Sequence, residues 1–462
     1  MTRPTRPAEF YDFYPLEAMP WPVFRCDHGA HSLFYAPGCL CAVRAADADG
    51  FLQSIGPDQG PGWGRTLWEH AQQAIMEYEA LQYSAFAPEC LTVYLHNDCN
   101  LACTYCFSDP MGKSSTRISL SALRSAAEQV AANCHDKGMP FYVVFHGGGE
   151  PTLYWSDVDA ALTVIAEIAD RRGVETFRYI ATNGCLSTQK ARWLAHHFDL
   201  VGLSCDGPPD IHNHQRPHAN GGQTAKLVER TAAILHQESQ PFHVRATITP
   251  ETITCQPEIA AYIAMQLAPQ AISFEPVYTG GRASGAQIPD RQQAALFVAY
   301  FLQARDVAAA LGIPLDCSGS RMATIHGPYC NIFRQVLNLV PGGLATACFK
   351  ATEVEQVRAT GVAIGESLPG GAFYFDTGAI QGLQQRLAAF APECLSCFNR
   401  YHCTRGCPDQ CPLDAPGAFG TFRCEVQRQL SLAAIDKRAR ELIADITADR
   451  DRGANVYGTC IF

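Results

Sequence analysis

A chain of 462 residues, 47% hydrophobic and 17% charged, has apolar content for two or three packed domains and is not a disordered polymer. Its formal net charge of −10 argues against a nucleic-acid partner and suits a small-molecule or peptide substrate. The 21 cysteines, with no export signal in the first ten residues, point to the cytoplasm and to metal in place of disulfides, and no apolar run of about eighteen residues suggests a membrane span.

Residues 1–85 read as a segment of their own. Short strand-like runs at 23–26, 32–35 and 40–43 precede helical patterns at 45–55 and 67–83, split by a Gly/Pro-rich break at 56–64. This predicts a small N-terminal α+β domain, in which Cys26, Cys39 and Cys41 are small buried thiols.

From Leu91 the chain alternates strand and helix. Strands are expected near 91–96, 140–146, 176–182, 200–205, 242–249 and 270–277. Helices are expected near 119–135, 156–171, 187–197, 222–237, 256–267 and 290–311. Six such units give an α/β fold with a parallel sheet and helices outside, too few to close an eight-unit barrel. In such sheets the chemistry lies at the C-terminal ends of the strands, and each motif below follows one.

After the first strand comes Cys99-x₃-Cys103-x₂-Cys106. Three thiolates on one short loop can hold three irons of a cubane [4Fe–4S] cluster and leave the fourth without a protein ligand. Zinc, the competing reading, prefers four ligands in paired spacings. After the second strand comes His146-Gly147-Gly148-Gly149-Glu150-Pro151-Thr152, where glycines allow close backbone approach and Glu150 can accept from an ammonium. Thr182-Asn183-Gly184 after the third strand is either a ribose contact or an ordinary turn. After the fourth come Ser204-Cys205-Asp206-Gly207-Pro208, His212 and Arg216; a guanidinium there can pair with a carboxylate. His212, His214 and His218 read as a polar loop and not as a metal site. Val277 ends the sixth strand.

The cysteine spacing, with the aromatic Tyr105 before its last member, resembles the signature of the radical S-adenosylmethionine (SAM) superfamily. The resemblance covers about residues 91 to 430. It implies a partial (β/α)₆ radical SAM barrel over 86–311, with SAM chelating the open iron of the cluster on Cys99, Cys103 and Cys106. One electron from that cluster would cleave SAM to methionine and a 5′-deoxyadenosyl radical. The Gly-rich loop resembles the family's SAM-binding GGEP motif, with one extra glycine; this places the SAM contacts at Gly148, Gly149 and Glu150. The same resemblance brings Tyr105, Asn183, Ser204, Arg216 and Val277 to the cofactor.

Past residue 312 the strand–helix rhythm stops and cysteines take over. Cys330, Cys348, Cys394, Cys397, Cys403, Cys407 and Cys424 follow in an order that resembles the SPASM extension, a loop-rich iron–sulfur domain here spanning 312–430. That resemblance implies two auxiliary [4Fe–4S] clusters, three clusters in all. One would sit on Cys394, Cys397, Cys403 and Cys424. The other would sit on Cys330, Cys348 and Cys407, with Cys317 as fourth ligand or an open iron, since the family's additional cysteine is replaced by Thr324. Residues 431–462 read as a C-terminal helix, with the stripe Leu430, Leu432, Ile435 and Leu442, and a tail.

Three strands followed by helices at the N-terminus resemble the leader-peptide recognition domains of peptide-modifying radical SAM enzymes; a cap on the barrel is the competing reading. Together these features imply an oxidoreductase that modifies a peptide side chain, served by an electron donor such as flavodoxin or ferredoxin. Sulfatase maturases of this branch carry an aspartate base immediately after the cysteine matching Cys348, where this chain has Phe349. That favours a ribosomal-peptide cross-linking maturase, forming a thioether or carbon–carbon bond, over a sulfatase maturase or small-molecule dehydrogenase. A non-catalytic iron–sulfur carrier would have no use for a SAM pocket.

Overall fold

The computed structural model describes residues 12–17, 19, 22–83, 85–108, 116–277, 280–283, 289–318, 320–326, 335–388, 391–403, 420–448 and 456–460. The N-terminal part is an antiparallel sheet of β1 (Tyr14–Pro15), β2 (Phe24–His28), β3 (His31–Ala36) and β4 (Cys39–Arg44). Helices α1 (Ala48–Gln53) and α2 (Trp63–Tyr83) follow. Phe34, Cys39, Cys41 and Val43 pack on the helices, while Leu33, Tyr35, Leu40 and Ala42 face the opposite side, as strand alternation requires. Cys26, Cys39 and Cys41 are buried, and burial pushes the Cys26 thiol up to about 11.

The strand–helix units then appear in the expected order. They are β5 (Cys90–Val93), α3 (Leu120–Lys137), β6 (Phe141–Phe145), α4 (Trp155–Arg172), β7 (Thr176–Thr182), α5 (Thr188–His197) and β8 (Leu200–Ser204). Next come α6 (Pro209–Gln215), α7 (Ala225–Gln237), β9 (Phe242–Ile248), α8 (Gln256–Tyr262), β10 (Ala271–Pro276) and α9 (Gln293–Ala310). The helix ends follow local chemistry. Ser119 caps α3 by accepting from the Ala122 amide at 3.1 Å, and Gly138 stops it with φ +62°.

Strands β5 to β10 pair in parallel in sequence order, and the sheet does not close. β11 (Leu315–Asp316) extends it beyond β10. On the other side β12 (Val336–Leu339) pairs parallel with β5. Beyond it β13 (Leu344–Thr346), β14 (Ala363–Ser367) and β15 (Phe373–Phe375) run antiparallel, the first two linked through α10 (Val354–Ala359). The region past residue 312 therefore carries more strand than its sequence suggests. These strands are two to five residues long, too short for alternation to be legible.

Helices α11 (Thr377–Ala388) and α12 (Pro392–Leu395) lead to α13 (Phe422–Ala448) and a last strand, β16 (Val456–Cys460). β16 adds to the outer edge of β4, so the first and last described strands of the chain share one sheet. The predicted stripe on α13 is buried but divided. Leu430 joins the main core of the parallel sheet, whereas Leu432, Ile435 and Leu442 pack beneath the N-terminal sheet. Ile435 is fully buried there, so Ile435→Ala should cost about 2–5 kcal/mol. The expected readout is faster amide hydrogen exchange across β2, β3 and β4 with the rates in β6 to β9 unchanged; equal acceleration of both sheets would contradict this division of the core.

Candidate functional site

The loop after β5 is held on three sides. Tyr94 Oη donates to the Phe349 carbonyl at 2.7 Å and Asn97 Nδ2 to the Thr352 carbonyl at 2.9 Å, tying it to the segment after Cys348. Within the cysteine run, the Ala102 and Thr104 amides donate to the Pro217 and Gln215 carbonyls at 2.8 and 2.9 Å, and the Asn100 carbonyl accepts from the Ala219 amide. The Arg282 amide donates to the Cys106 carbonyl at 2.9 Å and its Nη1 to that of Cys103 at 3.0 Å. Cys99, Cys103 and Cys106 are half-buried, and the Cys99 sulfur accepts from the Leu101 amide at 3.5 Å.

The three thiols are close enough to interact electrostatically. Burial raises Cys99 to about 12 and Cys103 to about 11, with Arg216 and Arg282 opposing the rise at Cys103. Iron binding would require these thiols to lose their protons, which the two arginines favour. Among the described residues, no three His, Cys, Asp or Glu side chains converge on a single metal ion. A donor set spread over one loop, with an amide donor to sulfur and cations beside it, fits a cubane whose thiolates each take a different iron.

Beside this loop lies the Gly-rich turn after β6. Gly147 and Gly148 have φ of +64° and +69°, and a Cβ on them would strike the Tyr94 ring and the Asn97 side chain. A Cβ on Gly149 would overlap the Asp98 carbonyl, and the Glu150 amide donates to that same carbonyl at 2.8 Å. All three glycines thus serve the contact between two loops.

Glu150 is buried. Its Oε1 accepts from the Thr152 amide (3.2 Å), the Thr152 hydroxyl (2.7 Å) and the Thr182 hydroxyl (2.8 Å). Among the described residues its Oε2 accepts from the Asn183 amide alone, at 2.7 Å, which leaves it capacity for one more donor. Burial raises its pKa and these hydrogen bonds oppose the rise. Asn183 Nδ2 in turn donates to Asn100 Oδ1 at 2.8 Å, joining the turn after β7 to the cysteine loop.

Sequence reasoning passed over Asp206, which is the hub of the opposite wall. It is fully buried. Its Oδ2 accepts from Tyr105 Oη (2.6 Å), Gln215 Nε2 (2.9 Å) and Arg216 Nε (2.9 Å), and its Oδ1 from the Thr247 amide (2.9 Å). Burial alone would raise its pKa; Arg216 and these donors hold it below the usual carboxylate range. Arg216, expected to meet a ligand carboxylate, therefore already has an internal partner, and its guanidinium lies 5.4 Å from the Tyr105 ring centroid. The signal for Asp206 was its place between a strand end and Gly207-Pro208, ten residues before an arginine.

Ser204 ends β8 opposite Arg245 of β9. Val277 is buried against Tyr105 and Ala283 in a small apolar cluster. Of the three histidines, His212 is fully buried with Nδ1 accepting from the Asp206 amide, while His214 lies 3.9 Å from the exposed Glu251. The Phe349 ring sits 6.0 Å from the His146 ring, whose Nδ1 is buried with no partner among the described residues and whose pKa burial lowers to about 4.

In the C-terminal region Cys394, Cys397 and Cys424 interact electrostatically, and Cys403 Sγ lies 3.0 Å from Gln427 Oε1, one turn along α13 from Cys424. The fold thus brings Cys394, Cys397 and Cys424 together and sets Cys403 against α13. Cys317 is buried in the main core and Cys348 is half-buried after β13. Cys330 and Cys407 lie outside the described residues. No helix among the described residues is long and apolar enough to cross a membrane.

Comparison with known proteins places this geometry. Residues 93–262 match the Radical SAM superfamily model. A cysteine-type anaerobic sulfatase-maturating enzyme of Clostridium perfringens is 29% identical over 156 residues, 33% of this chain and 42% of that enzyme. The chain thus spans less than half the length of that relative. A serine-type anaerobic sulfatase-maturating enzyme of Klebsiella aerogenes is 25% identical over 342 residues, 67% of this chain and 77% of that enzyme. Among solved structures, native anSMEcpe with bound AdoMet superposes with TM-score 0.61 at 19% identity, covering 77% of this chain and 99% of its own. Streptococcus suis SuiB bound to precursor peptide SuiA superposes with TM-score 0.53 at 14% identity, covering 87% and 99%. Residues 93–262 thus match a radical SAM domain, set in an open α/β sheet with the fold of anSMEcpe and SuiB.

Proposed function

We propose that this chain is a SPASM-type radical SAM enzyme that oxidatively modifies a peptide side chain, as a ribosomal-peptide cross-linking maturase. The observation that carries the reading is the cysteine loop clamped between the Glu150 turn and the Asp206–Arg216 pair, all at the C-terminal ends of parallel strands. A radical SAM domain implies SAM and one [4Fe–4S] cluster, and Cys99, Cys103 and Cys106 are the ligands proposed for it. Bound there, the pair supplies one-electron reductive cleavage of SAM.

The chain's own residues bind and orient. Glu150 Oε2, with spare acceptor capacity, takes the SAM ammonium beside Gly148 and Gly149. Asn183 and Ser204 line the ribose and carboxylate side. Arg216 presents the guanidinium nitrogens that Asp206 leaves over. Tyr105 and Val277 form the apolar wall for adenine. Cys394, Cys397, Cys403 and Cys424 are the proposed ligands of one auxiliary cluster, and Cys330, Cys348 and Cys407 of another, with Cys317 or an open iron completing it.

A peptide substrate is supported by the precursor peptide in the SuiB structure and by the sulfatase maturases among the relatives. Those relatives also favour a second reading, sulfatase maturation. Against it, Phe349 puts an aromatic ring beside the neutral His146 where that chemistry is expected to need a carboxylate. A flavodoxin or ferredoxin would deliver the electron, in the cytoplasm.

After anaerobic reconstitution with iron and sulfide, the wild type should convert SAM to 5′-deoxyadenosine under strong reductant, and Cys103→Ala should not. Intact clusters without 5′-deoxyadenosine, with or without added precursor peptides, would overturn the reading.

The buried hub gives a graded test. Tyr105→Phe removes one charge-assisted hydrogen bond, about 1.5–3 kcal/mol. Asp206→Ala strands the buried Arg216 charge, about 3–5 kcal/mol. Unfolding stability and iron content after reconstitution should fall in that order; wild-type values in Asp206→Ala would show that the pair does not hold the loop.

A further inference from the structure

One buried hydroxyl of the N-terminal sheet is unspent. Tyr35, on β3, is fully buried, and its Oη has no hydrogen-bond partner among the described residues. An unpaired buried hydroxyl is costly, and folded proteins rarely keep one unless another group takes its hydrogen. Strand alternation turns Tyr35 to the α13 side of the sheet, where it packs with Phe13, Phe398, Leu432 and Ile435. Its ring stands 6.3 Å from that of Phe398, edge to face. Phe398 directly follows Cys397 in the chain. The Tyr35 phenol interacts electrostatically with the Cys397 thiol, more strongly than with that of Cys39.

Cys397 sits in surroundings that suit a cluster ligand. Its sulfur accepts from the Asn399 amide and from the Arg428 side chain, and Cys394 and Cys424 are close enough to interact with it. Thiols brought together from α12, the turn after it and α13, with N–H donors already on one sulfur, fit a cubane whose sulfurs carry negative charge.

We propose that the Tyr35 hydroxyl donates to a sulfur of the auxiliary cluster on Cys394, Cys397, Cys403 and Cys424, and so raises the reduction potential of that cluster. The inference rests on the reading that these four cysteines hold a [4Fe–4S] cluster. Reduction adds negative charge to the sulfurs, so a donor there favours the reduced form. The N-terminal sheet thereby contributes a residue to a redox centre built from the other end of the chain.

The test uses the full-length chain with Cys99→Ala, Cys103→Ala and Cys106→Ala combined, reconstituted anaerobically with iron and sulfide, so that only auxiliary clusters respond. The clusters are titrated at controlled potential and followed by electron paramagnetic resonance, and adding Cys397→Ala identifies the signal of this site by its loss. Tyr35→Phe keeps the ring and removes only the hydroxyl. At the potential that half-reduces the parent signal, it should lower the reduced-to-oxidised ratio about three- to ten-fold, the larger figure being about 59 mV for a one-electron couple. Any other auxiliary signal should keep its potential. Phe13→Leu is the packing control: its ring lies 5.8 Å from Tyr35 and 6.0 Å from Phe398, and its loss should leave the potential unchanged. Without metal, Tyr35→Phe should be at least as resistant to denaturant as its parent, because the hydroxyl removed has no protein partner to lose.

An unchanged potential in Tyr35→Phe overturns the inference. So does an equal shift in Phe13→Leu, which would trace the effect to packing, and so does a loss of stability in metal-free Tyr35→Phe, which would give the hydroxyl a partner within the protein. If Cys397→Ala removes no signal, the cluster assignment fails and the inference with it. None of these readouts needs SAM cleavage or a peptide, so failure here is distinguishable from failure of the maturase reading.

Discussion

The constraint on which the site depends is the approach of two backbones. The Gly-rich turn after β6 lies against the segment from Tyr94 to Asp98 so closely that no side chain fits between them, and the Glu150 amide bonds directly to the Asp98 carbonyl. A parallel sheet brings its strand ends within one strand spacing of each other, roughly 4.8 Å. Loops that leave such ends must either diverge or shed their side chains. Gly147, Gly148 and Gly149 take the second course, and Gly147, the glycine additional to the family motif, answers to Tyr94. Once the turn is seated, Glu150 can reach Thr182 and the Asn183 amide, and the third strand end is recruited to the same cluster of contacts.

The other wall is organised by a buried ion pair. A fully buried aspartate beside a nearly buried arginine is costly to desolvate, and such pairs persist when every lone pair is used. Asp206 approaches that condition with four donors, three on Oδ2 and one on Oδ1, supplied by α6 and the residue after it, by β9 and by the cysteine loop itself. Tyr105 links this pair to the cysteine run between Cys103 and Cys106. The cysteine loop is therefore gripped on one side by backbone approach and on the other by charge, before any iron is considered.

The parallel sheet was legible because its outward-facing residues alternate and its helices carry caps and breakers. The six predicted strands each fall on an observed strand; β7 matches end to end and the others differ at their ends by one to three residues. What could not be read depended on distance in sequence. β16 is five residues ending a polar stretch, and its strand character comes from β4, far away in the chain. Arg216 was legible as a cation near the site, but its partner was not, since nothing local marks Asp206 as buried. The division of the α13 stripe between two cores was equally hidden: periodicity shows that a face is apolar, not which surface will cover it.

The segment after Cys348 shows how far the C-terminal region is built into the site. Tyr94 and Asn97, leaving β5, donate to the carbonyls of Phe349 and Thr352. β12, which leads into that segment, pairs with β5 itself. The register of one strand pair thus fixes where Phe349 stands relative to the cysteine loop. Its ring lies against that of His146, which in turn faces the Tyr94 ring, and the imidazole stays neutral because it is buried and faces Arg245. At this position the described residues set an aromatic ring beside a neutral imidazole, with no carboxylate on either.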